Sequence, residues 1–306
     1  MGSLFKNLKI VDEFFEIEKG NRDTYKKQIQ KISKIEFQNI YCPHQSVRSA
    51  LLALQLKAKI KTGFSSWWNS FIFNQTIKKD MNLPDSLRQL SLLSFQSAEL
   101  KTKIENYSKQ FNIQSLEPVP EWASLDISDR VSLKEKTNFQ KPYICLFPGS
   151  VWATKQWTIE GYTELAKQLD RLGFKVVLMG GKDEFHLGEH ICKHVVAAQN
   201  LIGQTDLLET LSILKASAGI ISNDSAGQHL ASAVNVPQVS IFGPTVLSLG
   251  FRPWSNKAKV VEVQNLSCRP CGKHGHQTCP IKTHACMKNI SANQVLAAAE
   301  QIIRRP

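Results

Sequence analysis

The second half of the chain alternates between short apolar runs and segments in which apolar residues recur with helical spacing. The apolar runs predict buried strands and the segments between them predict helices. Because strands and helices alternate, we expect a parallel sheet covered on both faces, with ligands at the carboxyl ends of its strands. The predicted strands are 143–149, 174–181, 200–203, 219–224 and 237–243. The predicted helices are 159–172, 184–196, 207–216 and 226–233.

The first half of the chain has a less regular pattern. Residues 8–17 and 36–43 are predicted as strands, and residues 25–35 and 47–57 as helices. The proline-bearing stretch 114–142 is predicted as an interdomain linker.

The whole pattern predicts an α/β protein of two domains. At about 100–200 residues per domain, 306 residues suffice for both. We place the domains at 1–135 and 136–306, and the last helix of the second domain is free to pack back on the first.

Composition and charge exclude some classes of protein and favour others. An apolar fraction of 42% excludes a fully disordered chain, and 38 Lys and Arg against 26 Asp and Glu give a net charge of +12. The excess is +6 in residues 1–140 and +6 in 141–306, so it favours anionic partners without forming a nucleic-acid-binding tail. No apolar run reaches the roughly 20 residues of a membrane span, and no signal-peptide core is present. These features favour a cytoplasmic protein whose seven cysteines are thiols or metal ligands.

Two loops of the predicted sheet carry candidate anion-binding residues. In FPGSVWATKQW (147–157), small and hydroxyl residues including Ser150 precede Lys155, so backbone N–H groups and a point charge can meet an anion. The alternative is that these residues form an ordinary surface loop that binds no anion. In NDSAGQH (223–229), five candidates surround a helix start: Asp224, Ser225, Ala226, Gly227 and His229.

The alternative for that second loop is structural. Asp224 or Ser225 would then only cap the helix, and His229 would be a core histidine. The argument for a site is that both loops, together with Glu184 in GGKDE, fall at the same edge of one predicted sheet.

Four cysteines lie within 19 residues with the spacing C-x2-C-x7-C-x6-C. They could close a tetrahedral structural zinc site or remain free thiols. The four are Cys268, Cys271, Cys279 and Cys286.

These segments together resemble bacterial glycosyltransferase family 9, the lipopolysaccharide heptosyltransferase type. The resemblance is carried by FPGSVWATKQW, GGKDE, NLIGQTDLLETLSIL, NDSAGQHLASAVNVPQVSIFGPT and CRPCGKHGHQTCP, and more weakly by YCPHQSVRSALLALQLKAKIKTGF. It implies a GT-B architecture of two Rossmann-like domains facing across a cleft. It also implies an inverting transfer of heptose from ADP-heptose to the phosphorylated lipopolysaccharide core, with no required cofactor.

The resemblance assigns roles position by position. Ser150 and Lys155 would contact the donor diphosphate, Glu184 the adenosine ribose and Thr205 the base region. The turn from Asp224 to Gly227, with His229, would contact the diphosphate and sugar. Lys155 and Asp224 are the catalytic candidates, because a cation stabilises the departing ADP.

On the acceptor side, the resemblance is less complete. His44, Ser46 and Arg48 precede or begin a helix, and Arg48 could clamp an acceptor phosphate or simply be solvated. The lysines of 25–35 could meet anionic lipid headgroups at the inner membrane of a Gram-negative bacterium, or form the solvated face of a packed helix.

The family's opening strand, Gly-Asp loop and helix have no counterpart in this sequence, so the expected general-base aspartate is absent from it. The first domain is therefore expected to be incomplete. We expect a monomer on the cytoplasmic face of the membrane that binds no nucleic acid. The alternatives are an inactive nucleotide-sugar-binding relative and a basic nucleic-acid-binding protein with a zinc module.

Overall fold

The computed structural model describes residues 2–17, 20–69, 71–133, 139 and 142–306. The chain forms two compact units, Met1–Ile113 and Gln114–Pro306. The predicted domain boundary at 135/136 stays a prediction, but residues 114–131 pack on the second unit. The backbone N–H groups of Val119 and Ile127 bond to the Asn256 side chain (2.6 Å) and the Ala233 carbonyl (2.8 Å).

The first unit contains a parallel sheet of three described strands in the order β1-β2-β3. They are β1 (Glu36–Cys42), β2 (Lys57–Phe64) and β3 (Gln75–Ile77). Its helices are α1 (Gly2–Asn7), α2 (Arg22–Ile32), α3 (Val47–Gln55), α4 (Asp85–Leu90) and α5 (Ala98–Gln110). The side chains of Asn21, Ser46 and Ser97 cap α2, α3 and α5, so each helix begins where a polar residue satisfies free N–H groups.

One predicted strand of this unit is wrong. Residues 8–10 form a turn and residues 11–17 an irregular segment, because the N–H groups of Leu8 and Ile10 donate to the Leu4 and Phe5 carbonyls of α1. The other predicted elements, 36–43, 25–35 and 47–57, correspond to β1, α2 and α3. The helix α5 had no clear signal in the sequence.

The second unit contains a parallel sheet of six described strands in the order β6-β5-β4-β7-β8-β9. The strands are β4 (Tyr143–Phe147), β5 (Lys175–Leu178), β6 (Gln199–Asn200), β7 (Gly219–Asn223), β8 (Gln238–Phe242) and β9 (Ala258–Glu262). All five residues of β4, of β7 and of β8 are buried, as expected for strands covered on both faces. The prediction holds for β4, β5, β7 and β8; β6 is shorter and earlier than predicted, and β9 was missed.

Helices cover both faces of this sheet. They are α6 (Ile159–Arg171), α7 (Phe185–His194), α8 (Leu207–Ala216), α9 (Ala226–Ala233), α10 (Ala285–Lys288) and α11 (Ala292–Glu300). Asp206 begins α8 and Ser291 begins α11 with reciprocal capping boxes. Helix α11 packs on α6, β8 and β9, where Val295, Ala299 and Ile303 join the apolar core.

Candidate functional site

The loops that follow β4, β5 and β7 meet at one edge of the second sheet, as predicted. Asn223, fully buried at the end of β7, donates from its amide nitrogen to the carbonyls of Pro148 (2.9 Å) and Gly149 (3.1 Å), beyond β4. Its amide oxygen accepts the backbone N–H of Trp157 at 2.9 Å. One side chain therefore holds both ends of the loop that contains Lys155.

Lys155 and Asp224 form a close ion pair at this edge. The Lys155 Nζ lies 2.6 Å from Asp224 Oδ2, and the Asp224 residue is only 5% exposed. The Thr245 hydroxyl donates to the same oxygen at 2.6 Å, and the Gln228 amide donates to Oδ1 at 2.8 Å. The carboxylate is thus fixed by three donors, and it holds the ammonium group in place.

The alternative that Asp224 or Ser225 only caps the helix through its side chain is wrong for both residues. Ser225 is the N-cap of α9 but makes no side-chain capping bond in the described structure, and the Asp224 carboxylate bonds to other partners. The start of α9 can therefore present N–H groups and the positive end of its dipole. A Cβ at Gly227 would overlap the Phe147 ring, so glycine lets α9 begin close to β4. His229 and Ala226 are exposed, so His229 is not a core residue.

Glu184 lies against the loop that follows β4. Its Oε2 accepts the Gly181 N–H at 2.9 Å, and a Cβ at Gly149 would overlap its carboxylate. Burial raises the pKa of Glu184, although the Gly181 hydrogen bond opposes the shift. The structure therefore places Glu184 beside the loop of Ser150, as expected for residues of one site.

Ser150 and Thr205 are held by local hydrogen bonds. The Ser150 hydroxyl accepts the Trp152 N–H at 3.3 Å, and its carbonyl accepts the Gln156 amide at 2.8 Å. The Thr205 hydroxyl lies 2.9 Å from that of Thr210, beside the start of α8. The donor contacts assigned to both residues stay predictions.

The cysteine-rich segment supports the Lys155 turn, a role that the sequence did not reveal. Thr154 donates its N–H to the His276 carbonyl (3.0 Å), and its hydroxyl accepts the His276 N–H (2.8 Å). The His284 ring nitrogen Nε2 lies 2.9 Å from the Thr154 carbonyl oxygen. The histidines interleaved with the cysteines were the available signal, and two of them, His276 and His284, contact Thr154.

The structural zinc site that the spacing of the four cysteines allowed stays a prediction. The cysteines line one cavity of about 30 Å³, but no group of three His, Cys, Asp or Glu in the described residues could hold a metal ion. Cys279 Sγ accepts the His284 N–H at 3.4 Å, and Cys286 packs in the apolar core. Burial raises the pKa of Cys286 to about 11, as for a neutral thiol.

The predicted acceptor-side residues lie in the first unit, after β1. Ser46 accepts the Ser49 N–H at 3.2 Å and caps α3, which gives it a structural role. His44 and Arg48 are exposed. Arg48 lines a pocket of about 570 Å³ together with Arg22 and Tyr25.

Comparison with known proteins identifies the family. The profile of "Glycosyltransferase family 9 (heptosyltransferase)" matches residues 26–282. Lipopolysaccharide heptosyltransferase 2 of Salmonella typhimurium is 32% identical over 153 residues, which are 46% of this chain and 43% of that protein. Lipooligosaccharide heptosyltransferase 2 of Campylobacter jejuni is 29% identical over 188 residues, 57% of each chain. The matched region thus spans about half the length of these relatives.

Solved structures show the fold. The ADP-heptose lipopolysaccharide heptosyltransferase II of E. coli superposes with a TM-score of 0.71 at 23% identity, covering 98% of this chain and 86% of that one. A family 9 glycosyltransferase of Veillonella parvula gives a TM-score of 0.68 at 18% identity, covering 95% and 82%. The fold is α/β of the GT-B type. With the profile match over most of its length, this chain belongs to glycosyltransferase family 9, the heptosyltransferase family.

Proposed function

We propose that this protein transfers heptose from ADP-heptose to the phosphorylated inner core of lipopolysaccharide, with inversion at the anomeric carbon. The observation that carries the proposal is the ion pair of Lys155 and Asp224 beside the start of α9. It offers a fixed cation and a helix dipole at one sheet edge, and both favour a diphosphate.

In the proposed reaction, the acceptor hydroxyl attacks the anomeric carbon while the bond to the ADP oxygen breaks. The proton of the hydroxyl passes to a general base that is not assigned within this chain. The electron pair of the broken bond leaves with ADP, whose growing negative charge Lys155 and the N–H groups of α9 stabilise. Asp224 positions Lys155, Glu184 holds the ribose, Thr205 lies near the base, and Ser150 and His229 complete the contacts to diphosphate and sugar.

The acceptor is proposed to approach the first unit. Arg48 and Arg22 line one pocket and can each donate paired hydrogen bonds to a phosphate. Among the described residues, no helix has both the length and the apolar character needed to cross a bilayer. Because the proposed acceptor is a lipid, we place the protein on the cytoplasmic face of the inner membrane, in peripheral contact with it.

Calorimetric titration with ADP and ADP-heptose tests the donor site. Lys155→Ala should weaken binding of either ligand about tenfold or more, because a hydrogen bond to a charged group contributes roughly 1.5–3 kcal/mol. Asp224→Ala should also weaken it, since Lys155 and Thr245 lose their common partner. The exposed Lys193, on α7, provides a charge-matched control as Lys193→Ala.

The results separate the candidate functions. Unchanged affinity in both site variants would contradict the donor assignment. ADP release that depends on the acceptor supports the enzyme, whereas ADP binding without turnover would indicate the inactive relative. Retention on nucleic acid that falls steeply with salt would instead support the nucleic-acid-binding alternative.

A further inference from the structure

Two aromatic side chains project into solvent from the turn after β2 in the first unit. Trp67 is 95% exposed and Phe71 is 75% exposed, although aromatic residues usually bury most of their surface. Exposed large apolar side chains at such levels mark interaction surfaces when they occur together.

The turn that carries these aromatics is anchored. Asn69 is 2% exposed, its amide donates to the Phe64 carbonyl at 2.8 Å, and its oxygen accepts the Ser66 N–H at 3.0 Å. The neighbouring side chains pack inward against β1 and α3; they are Trp68, Ile72 and Phe73. The same short turn therefore sends three apolar side chains inward and holds two outward.

Cations lie at the same edge of the sheet. Strands β2 and β3 are parallel with Phe64 opposite Ile77, and the Ser65 N–H donates to the Ile77 carbonyl at 2.8 Å. Lys78, which is exposed, directly follows β3 and therefore lies beside the start of the turn that carries Trp67 and Phe71. Strand β1 ends there too, with Cys42 opposite Gly63, and leads to the exposed Arg48 in the first turn of α3.

The charge of this region is strongly one-sided. Residues 37–79 contain six Lys and Arg and no Asp or Glu. Three of the cations lie along β2 from its start at Lys57, and the other three, Arg48, Lys78 and Lys79, follow the carboxyl ends of β1 and β3. The next acidic groups, Asp80 and Asp85, already have partners. Asp80 accepts the Ser108 hydroxyl at 2.9 Å, and Asp85 lies 3.6 Å from the Lys79 ammonium.

We propose that this carboxyl-edge surface, defined by Arg48, Trp67, Phe71 and Lys78, docks on an anionic lipid bilayer. Trp67 can place its apolar ring and its indole N–H in the headgroup region, and Phe71 adds apolar surface that is buried there. Lys and Arg are attracted by anionic headgroups. The carboxylates that share a pocket with Lys78, Asp80 and Glu105, have partners of their own in Ser108 and Lys101, which lessens their repulsion of the headgroups. The inference rests on the membrane contact proposed above and assigns it to this surface rather than to α2.

Vesicle sedimentation tests the assignment. Purified protein is mixed with vesicles of phosphatidylethanolamine and phosphatidylglycerol, or with vesicles of phosphatidylcholine alone. Trp67→Ser with Phe71→Ser should weaken binding to the anionic vesicles by tenfold or more, because two apolar side chains no longer insert. Lys78→Glu should weaken it about fivefold or more and reduce its salt dependence.

Matched controls come from the second unit and from α2. Val196 is also 95% exposed, and Val196→Ser should leave vesicle binding unchanged. Lys27→Glu alters the lysine-rich helix α2, where Lys27 is exposed, and should have a smaller effect than Lys78→Glu. ADP titration of every variant reports whether the donor site is intact.

Three results would overturn the inference. They are failure of the unmodified protein to sediment with anionic vesicles, retained binding in the Trp67 and Phe71 variant, and a larger effect of Lys27→Glu than of Lys78→Glu. Because the substituted side chains are exposed, loss of folding is not expected to confound the test. Failure of the unmodified protein to bind ADP would contradict the proposed function. The vesicle experiment would still show whether this surface binds the membrane.

Discussion

Replacing Asn223 by alanine removes the side chain that joins the ends of β4 and β7. The Asn223 amide donates to the Pro148 and Gly149 carbonyls and accepts the Trp157 N–H, and the residue is fully buried. Without it, the loop between those contacts loses its tie to the strand that leads into Asp224. We therefore expect both the second unit and its donor site to weaken.

The magnitude follows from the groups left unpaired. The Trp157 N–H, in a residue 3% exposed, loses its acceptor, which costs about 1–3 kcal/mol. The carbonyl oxygens of Pro148 and Gly149 lose the Asn223 amide as their donor, at about 0.5–1.5 kcal/mol each. The free energy of unfolding of the second unit should therefore fall by roughly 2–6 kcal/mol.

The assay is urea denaturation followed by circular dichroism, with ADP titration of the folded variant. Tyr143→Phe is the matched control, because it removes one buried hydrogen bond (2.7 Å to the Ile213 carbonyl) at the opposite end of β4. That control should cost only about 0.5–1.5 kcal/mol and leave ADP affinity unchanged.

Asn223→Asp adds a pH test of the same reasoning. The aspartate keeps the acceptor for Trp157 but turns a carboxylate toward carbonyl oxygens, so its folded-state pKa should be raised. Stability should then be greatest at low pH and fall as pH rises through that pKa. A variant Asn223→Ala no less stable than Tyr143→Phe, with unchanged ADP affinity, would refute the bracing role.

Three further substitutions test the surrounding contacts. Gly149→Ala places a methyl group on the Glu184 carboxylate and should cost about 1–3 kcal/mol, measured by thermal unfolding; adding Glu184→Ala should recover part of the loss. Burial raises the pKa of Glu184 above its ordinary 4.5, so stability should fall as pH rises from about 4.5 through the raised value, and Glu184→Gln should flatten that slope in urea denaturation; an unchanged slope would contradict the assignment. Thr154→Val removes the acceptor of the His276 N–H and should weaken ADP binding in titration, whereas Thr154→Ser keeps the hydroxyl and should not; equal loss in both would exclude the hydroxyl contact.

The sequence determined most of the second unit because its signals are local. Continuous apolar runs and helical spacing identified β4, β5, β7 and β8 with the helices between them, and alternation made the sheet parallel. A parallel sheet gathers its carboxyl ends at one edge, so the loops of Lys155, Glu184 and Asp224 could be placed together before any coordinates. The first unit lacked such signals. Residues 8–17 do not form the predicted strand, because the first of them form hydrogen bonds to the end of α1.

Tertiary structure alone decided which side chains pair at that edge. Lys155 and Asp224 are far apart in sequence, and their contact exists because β4 lies beside β7, an order that a series of strands does not specify. The same neighbour relation lets Asn223 join the ends of β4 and β7, and long-range hydrogen bonds bring the cysteine-rich segment to Thr154. Local patterns fix where the chain forms strands and turns, whereas hydrogen bonds between distant residues depend on which strands become neighbours.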